Sequence, residues 1–269
     1  VAEVQNSLGL TLRSQGRREE AAVFFRQALK TVRSLHAQNH PRVTIAMSLL
    51  ASCLTSSEEE LEESVELLSE AVDIMRKAPA GLPSNLAKAL TSLAMKQFAL
   101  GRSAEAEVTM REALSILRAA HGAAHPEVAQ ALHSLGTVVF RAARYDEAAK
   151  YAEEALAMRK ELYPEGNPLL ADSFMLMGTI AEVKENYREA AAAIEEAFRM
   201  RAALWGGDNK WTTNARLRLA QALRKAGSYE DAERHLLAMI RASEKGVVGS
   251  DTASDAAIEE LVKLYEVMQ

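Results

Sequence analysis

Apolar positions along the chain recur three and four residues apart, the spacing that gives a helix one buried face. This helical pattern is itself repeated. A small residue recurs as Ala21, Ser64, Ala106, Ala148, Ala190 and Ala232, in steps of 43, 42, 42, 42 and 42. Seven residues later stand Ala28, Ala71, Ala113, Ala155, Ala197 and then Met239. Ahead of each small residue comes a large-small pair: Leu8-Gly9, Leu50-Ala51, Leu93-Ala94, Leu135-Gly136, Met177-Gly178 and Leu219-Ala220. Between these units lie Pro41, Pro83, Pro126 and Pro168, followed on the same beat by Lys210 and Thr252. The pattern predicts antiparallel helical hairpins, with first helices starting near residues 1, 43, 85, 127, 169 and 211. The expected fold is an all-α, right-handed superhelical solenoid. Six hairpins would fill 1–245, and a capping helix or half repeat would fill 250–269.

Each recurring residue has a physical reason. Glycine or alanine beside leucine on the first helix lets the second approach closely, and the alanines of the second helix do the same from the other side. Gly16, Gly101 and Gly227 fall in the turns between paired helices, where positive φ closes a helix. Tyr145, Tyr187 and Tyr229 follow at one fixed turn position and are read as packing over the junction. Asp146-Glu147 and Glu230-Asp231 then occupy first turns, where acid suits the helix dipole. His125-Pro126 and Asn167-Pro168 read as an N-cap followed by proline at the first helical position. The second repeat departs from the rest. It carries one extra turn residue near Ser56–Glu59, an acidic run from Glu58 to Glu66 read as a solvated face, and a loop from Ala78 to Pro83 without the His-Pro pair. Ala253 to Met268 reads as one more amphipathic helix.

Leu132, Leu135, Gly136, Val139, Ala148 and Ala155 resemble the tetratricopeptide signature. The usual period is about 34 residues. The 42-residue period here, with loops such as Gly122-Ala123-Ala124-His125-Pro126, is similar to the longer-helix variant of kinesin light chains. The resemblance implies that first helices line a concave surface that receives a partner, with second helices on the convex side. In kinesin light chains repeated asparagines on that surface grip the backbone of an extended peptide. Only Asn6 matches them here, because the equivalent places hold Ser48, Thr91, His133, Met175 and Leu217.

Composition narrows the function classes. Aromatics make up 5% and hydrophobic residues 48%, which suits thin, closely packed helices. The net charge of -5 lacks the basic footprint of a nucleic-acid binder. No apolar run reaches the ~18 residues of a membrane span. The single Cys53 precludes an internal disulfide, reads as a buried inert thiol, and points to a cytoplasmic or other reducing compartment. The chain opens at Val1 without methionine and is read as part of something longer, so an organelle-targeting segment is not excluded.

His36/His40 and His121/His125 have the i, i+4 spacing of metal ligands, but both pairs fall at the same repeat position, so the repeat explains them and no metal is expected. No phosphate loop, nucleophile elbow or paired-carboxylate motif is present, so neither catalysis nor a cofactor is expected. Trp205 and Trp211 are read as packing between hairpins. Arg218, Gln221, Arg224 and Lys225 form a basic stripe, read first as a salt ladder between neighbouring first helices and second as a receptor for an acidic peptide end. By helical periodicity, positions two and five residues either side of the Leu of each Leu-Gly/Ala pair face the groove. The residues expected to contact a partner are Asn6, Thr91, Met95, His133, Thr137, Met175, Gln221 and Arg224. The expected function is a protein-interaction scaffold or adaptor that binds a peptide or helix, one with an acidic end among the candidates. The alternative is the regulatory sensor segment of a larger NTPase or transcriptional regulator.

Overall fold

The computed structural model describes residues 1–77, 83–122, 124–244 and 251–268. Among these, thirteen α-helices occur and no strand, and the fold class is an all-α repeat solenoid. They are α1 Ala2–Ser14, α2 Arg18–Leu35, α3 Pro41–Cys53, α4 Glu58–Lys77, α5 Pro83–Ala99, α6 Ser103–His121, α7 Pro126–Arg141, α8 Tyr145–Leu162, α9 Pro168–Val183, α10 Tyr187–Trp205, α11 Lys210–Lys225, α12 Tyr229–Glu244 and α13 Asp251–Met268. The first-helix starts therefore fall at Ala2, Pro41, Pro83, Pro126, Pro168 and Lys210.

Helix ends follow from local chemistry. His40, His125, Asn167 and Asn209 each accept a hydrogen bond from the amide two residues on, at 3.1, 3.2, 2.8 and 2.9 Å. Proline supplies the first helical residue of α3, α7 and α9. In the tight turns Gly16, Gly101 and Gly227 take positive φ, at 80°, 77° and 81°. Ala143 and Glu185 hold the equivalent place at 57° and 62°, a conformation that costs a non-glycine residue about 1 kcal/mol or more.

The second repeat differs for a visible reason. Ser57 Oγ accepts from the Glu60 amide at 3.2 Å, and the Glu60 carboxylate accepts from the amides of Thr55 and Ser56 at 3.0 and 2.8 Å. This capping box starts α4 six residues before Ser64, whereas the other second helices with an alanine there start three before it. Ser64 is fully buried and donates to the carbonyls of Ala51 and Leu54, so a hydroxyl is accommodated where other repeats carry alanine. The acidic run is more than a solvated face, because Glu62 and Glu63 pair with Arg102 and Arg26 on neighbouring hairpins. The loop Ala78–Leu82, whose missing His-Pro pair was singled out, lies outside the described residues.

The chain divides into two compact units, Val1–Ala142 and Ala143–Gln269. In the first, α1/α2, α3/α4 and α5/α6 form hairpins and α7 packs on α6. Its core joins Phe25, Met47, Leu50, Leu68 and Leu90. Outside that core, Arg33–Glu70 and Arg76–Glu112, each at 2.7 Å, tie successive second helices together. In the second unit, α9/α10 and α11/α12 form hairpins, with α8 packed on α9 and α13 on α12 and α11. Its cores join Met175, Ile194 and Leu219, and Leu236, Leu261 and Leu264. Ile258, Val262 and Tyr265 are exposed on α13.

Close approach explains the small residues. Ala21, Ala28, Ala71, Ala106, Ala113, Ala190, Ala197 and Ala232 are all fully buried. A Cβ added to Gly9 would lie 2.6 Å from the Phe25 ring, and one added to Gly178 would lie 2.5 Å from Ile194 Cγ1.

Candidate interaction surface

In the first unit, the first helices present mostly small hydroxyl side chains at the expected groove positions. Thr91 and Thr137 are half-buried, and their hydroxyls donate to the carbonyls of Ala87 and His133 at 2.8 and 3.0 Å. Ser48 donates to Thr44 O in the same way, at 2.9 Å. These side chains satisfy themselves on their own helix and keep acceptor lone pairs for a ligand. Met95 is 38% exposed. His133 is half-buried. Asn6 is also half-buried, and its Oδ1 is shielded from solvent with no hydrogen-bond partner among the described residues.

A cavity of this unit lies between α3 and α5. These two helices pack less closely than α1 with α3 or α5 with α7. The gap is a cavity of about 860 Å³ walled by Ile45, Ser48 and Leu49 of α3 and Leu86 and Ala89 of α5, with Ile74, Met75 and Ile116 of the second helices also lining it. Ile45, Ser48 and Lys88 line it and occupy positions two or five residues before the Leu of their pairs. None of the eight residues singled out as partner contacts does. The periodicity gave the face, but it could not give the unequal spacing of the helices, which depends on how neighbouring hairpins stack.

The second unit corrects several expectations. Met175 is 9% exposed and packs in the core with Ile194 and Leu219, so it does not present a flexible thioether to a groove. Gln221 is half-buried. The basic stripe is a ladder: Arg218 binds Glu182 at 2.5 Å and Thr179 Oγ1 at 3.0 Å, linking α11 to α9. Arg224 binds the buried Glu260 at 2.5 Å, linking α11 to α13. Trp211 is 58% exposed and Trp205 is partly exposed, so neither is a buried packing residue.

Two functional side chains of the joint escaped the sequence reading. Arg159 is 1% exposed, buried rather than on an outer face, and its Nη1 donates to Leu169 O at 2.6 Å and Ser173 Oγ at 2.7 Å. Burial pulls its pKa below the ordinary arginine value, while the Asp172 carboxylate opposes that shift. Arg201, one repeat later, donates to Trp211 O at 3.2 Å and to Asp172 at 2.8 Å. The signal was present: Arg159 and Arg201 each stand four residues after a buried repeat alanine, on a helical face that should be apolar. Lys96 has a comparable role in the first unit. Its Nζ donates to Leu54 O at 2.7 Å, and burial lowers its pKa. Among the described residues, no helix is long and apolar enough to cross a membrane.

Comparison with known proteins places this arrangement. One tetratricopeptide repeat model matches residues 1–77 and 85–161, and a second matches 175–247. No curated protein matches the chain in sequence. Among solved structures, BtubC (BKLC) from P. vanneervenii is 19% identical, with 91% of this chain and 93% of that chain covered and a TM-score of 0.68. A kinesin light chain with nearly identical tetratricopeptide-like repeats from Podosopora anserina is also 19% identical, with 76% and 96% covered and a TM-score of 0.63. The tetratricopeptide sensor-bearing signal transduction ATPase with numerous domains from Pyrococcus horikoshii is 18% identical, with 99% of this chain but 39% of that chain covered and a TM-score of 0.77. The family models together span most of the sequence and the neighbours share the fold, so the chain belongs to the tetratricopeptide repeat family.

Proposed function

We propose that the chain is a non-enzymatic interaction scaffold that takes a peptide or helix of a partner protein on the exposed face of its first helices. The observation that carries this reading is the apolar cavity of about 860 Å³ between α3 and α5, whose wall includes Ile45, Ser48 and Lys88 of those first helices. A cavity of this size with a few hydroxyls at its wall suits an aliphatic or aromatic anchor side chain, with Met95 adding adaptable apolar surface nearby. The acidic end once considered for the partner has less support. Arg218 and Arg224 are already paired, and a partner carboxylate would have to displace Glu182 or Glu260. The proposal is therefore one of apolar recognition.

Peptide selection from a displayed random library on the whole chain tests this. Enriched peptides should bind Ile45→Asp and Ser48→Trp at least about tenfold more weakly, the loss of one anchor's ~1.4 kcal/mol or more, with helicity unchanged. Equal binding to these variants, or loss on Arg111→Glu of the exposed α6 surface instead, would refute the groove. A second reading is favoured by the fold likeness of almost the whole chain to a protein carrying a repeat sensor. In it the same face senses a ligand on behalf of an adjoining effector domain, and a nucleotide-binding or DNA-binding domain in the same polypeptide would be its mark.

A further inference from the structure

Three side chains of the kind that transition metals prefer converge where α6 meets α7. His121 ends α6, His125 caps α7, and Glu127 stands in the first turn of α7. One donor atom from each lies within 4.8 Å of the others. The repeat accounts for the histidines. His36 and His40 hold the same two places before α3, and each pair of rings stacks at 4.0 Å. In each pair Nδ1 of the second histidine accepts the helix amide two residues on, which leaves its Nε2 clear of the backbone.

The repeat does not account for Glu127. After the earlier histidine pair the equivalent residue is Arg42, and the other repeats place Ser84, Leu169 and Trp211 there. Glu127 Oε1 accepts from Lys88 Nζ at 2.8 Å. Its Oε2 is shielded from solvent, has no hydrogen-bond partner among the described residues, and stands 3.6 Å from His121 Nε2. A shielded carboxylate oxygen without a donor is unfavourable, and a bound cation removes that penalty.

We propose that His121, His125 and Glu127 bind one divalent transition-metal ion, such as zinc, and thereby clamp the end of α6 to the start of α7. Two imidazoles and a carboxylate form a three-ligand set with an open fourth position, and the nitrogen ligands select zinc over magnesium or calcium. The stacked rings hold their in-plane lone pairs side by side, so one ring turns on binding. His125 is pinned by its cap, so His121 turns, giving up its 2.9 Å contact with Ser84 Oγ. Lys88 keeps Oε1 while Oε2 takes the metal, and its positive charge weakens the site.

Calorimetric titration of the full chain with zinc, alongside the visible absorption of a cobalt-loaded sample, tests the assignment. His125→Asn is a clean probe because Asn167 and Asn209 make the same cap at equivalent places. The wild type should bind a single equivalent of zinc and no magnesium. His125→Asn and Glu127→Gln should each weaken zinc at least about tenfold. His40→Asn should leave it unchanged, and Lys88→Met should tighten it. Absence of zinc binding by the wild type overturns the proposal. So does binding that survives Glu127→Gln, or that is lost in His40→Asn, because either result assigns the metal to the repeated histidine pairs alone.

Discussion

Replacing Gly178 by alanine adds a single methyl group where α9 and α10 cross most closely. That carbon would lie 2.5 Å from Ile194 Cγ1, 3.1 Å from its Cδ1 and 3.3 Å from Ala190 O. Cγ1 is bonded directly to the branched Cβ of a residue whose χ1 is nearly fixed in a helix, so Ile194 cannot swing aside and the helices must part. Overpacking of this kind costs about 1–3 kcal/mol. Alanine returns about 1 kcal/mol of helix propensity over glycine. The net expectation is a destabilisation of roughly 0–2 kcal/mol. The chain itself contains the remedy. At equivalent places Ala220 shares a core with Leu236, and Ala51 with Leu68. Leucine branches one carbon further out and clears the added methyl, so Gly178→Ala with Ile194→Leu should recover most of the loss. Both tryptophans of the chain, Trp205 and Trp211, lie in this second unit, so urea unfolding followed by tryptophan fluorescence reports on it directly. The two substitutions should couple by about 1 kcal/mol; if they add within about 0.3–0.5 kcal/mol, the clash is not the cause and the reasoning fails.

Ala190→Leu should lower the melting temperature far more than Ser115→Leu, because Ala190 is fully buried where two helices meet and Ser115 is exposed; equal melts would contradict the repeat assignment. Arg224→Ala leaves the buried Glu260 with only Lys263, 3.6 Å away, and should cost about 3 kcal/mol in urea unfolding, a loss that added salt does not restore. His235 has its pKa lowered by burial first and then by Arg216 and Arg234, with Glu195 and Asp231 opposing. Its unfolded form binds a proton more readily, so the stability it contributes is present above the ordinary histidine pKa and is lost as pH falls through that value and towards the folded one. The melting temperature of the second unit should drop between pH 7.5 and pH 5, about the range of histidine titration, and the drop should shrink in His235→Gln.

The fold was legible because its signals are local and repeated. A capping residue before Pro126 or Pro168, a turn glycine, and buried alanines seven residues apart each set one boundary by nearby chemistry. Where a residue broke the repeat, reading by analogy failed. Ser57 and Glu60 start α4 early through a capping box that the other repeats lack. Ala143 and Glu185 take positive φ at turn positions where other repeats carry glycine, so the conformation could not be read from residue type. The site was less legible. Helical period grouped Ile45, Ser48 and Lys88, which line the cavity, yet Met175 is drawn into the core by Ile194 and Leu219, contacts set by tertiary packing. Arg218 pairs with Glu182 and Arg224 with Glu260, each 36 residues away on a neighbouring first helix, and opposite charges on successive first helices made a ladder readable when the cavity was not.

Arg159 and Arg201 grip main-chain oxygens, those of Leu169 and Trp211, and not the side chains of those residues. Every amino acid offers the same carbonyl, so the joint is indifferent to what stands there. Leu169 and Trp211 both project into solvent and are chemically unlike, while the bond beneath them is the same. Stability and surface identity are thus separately inherited at these two places. Substitution can rewrite the exterior of the hairpin edge, and hence what it meets, while the clasp underneath persists.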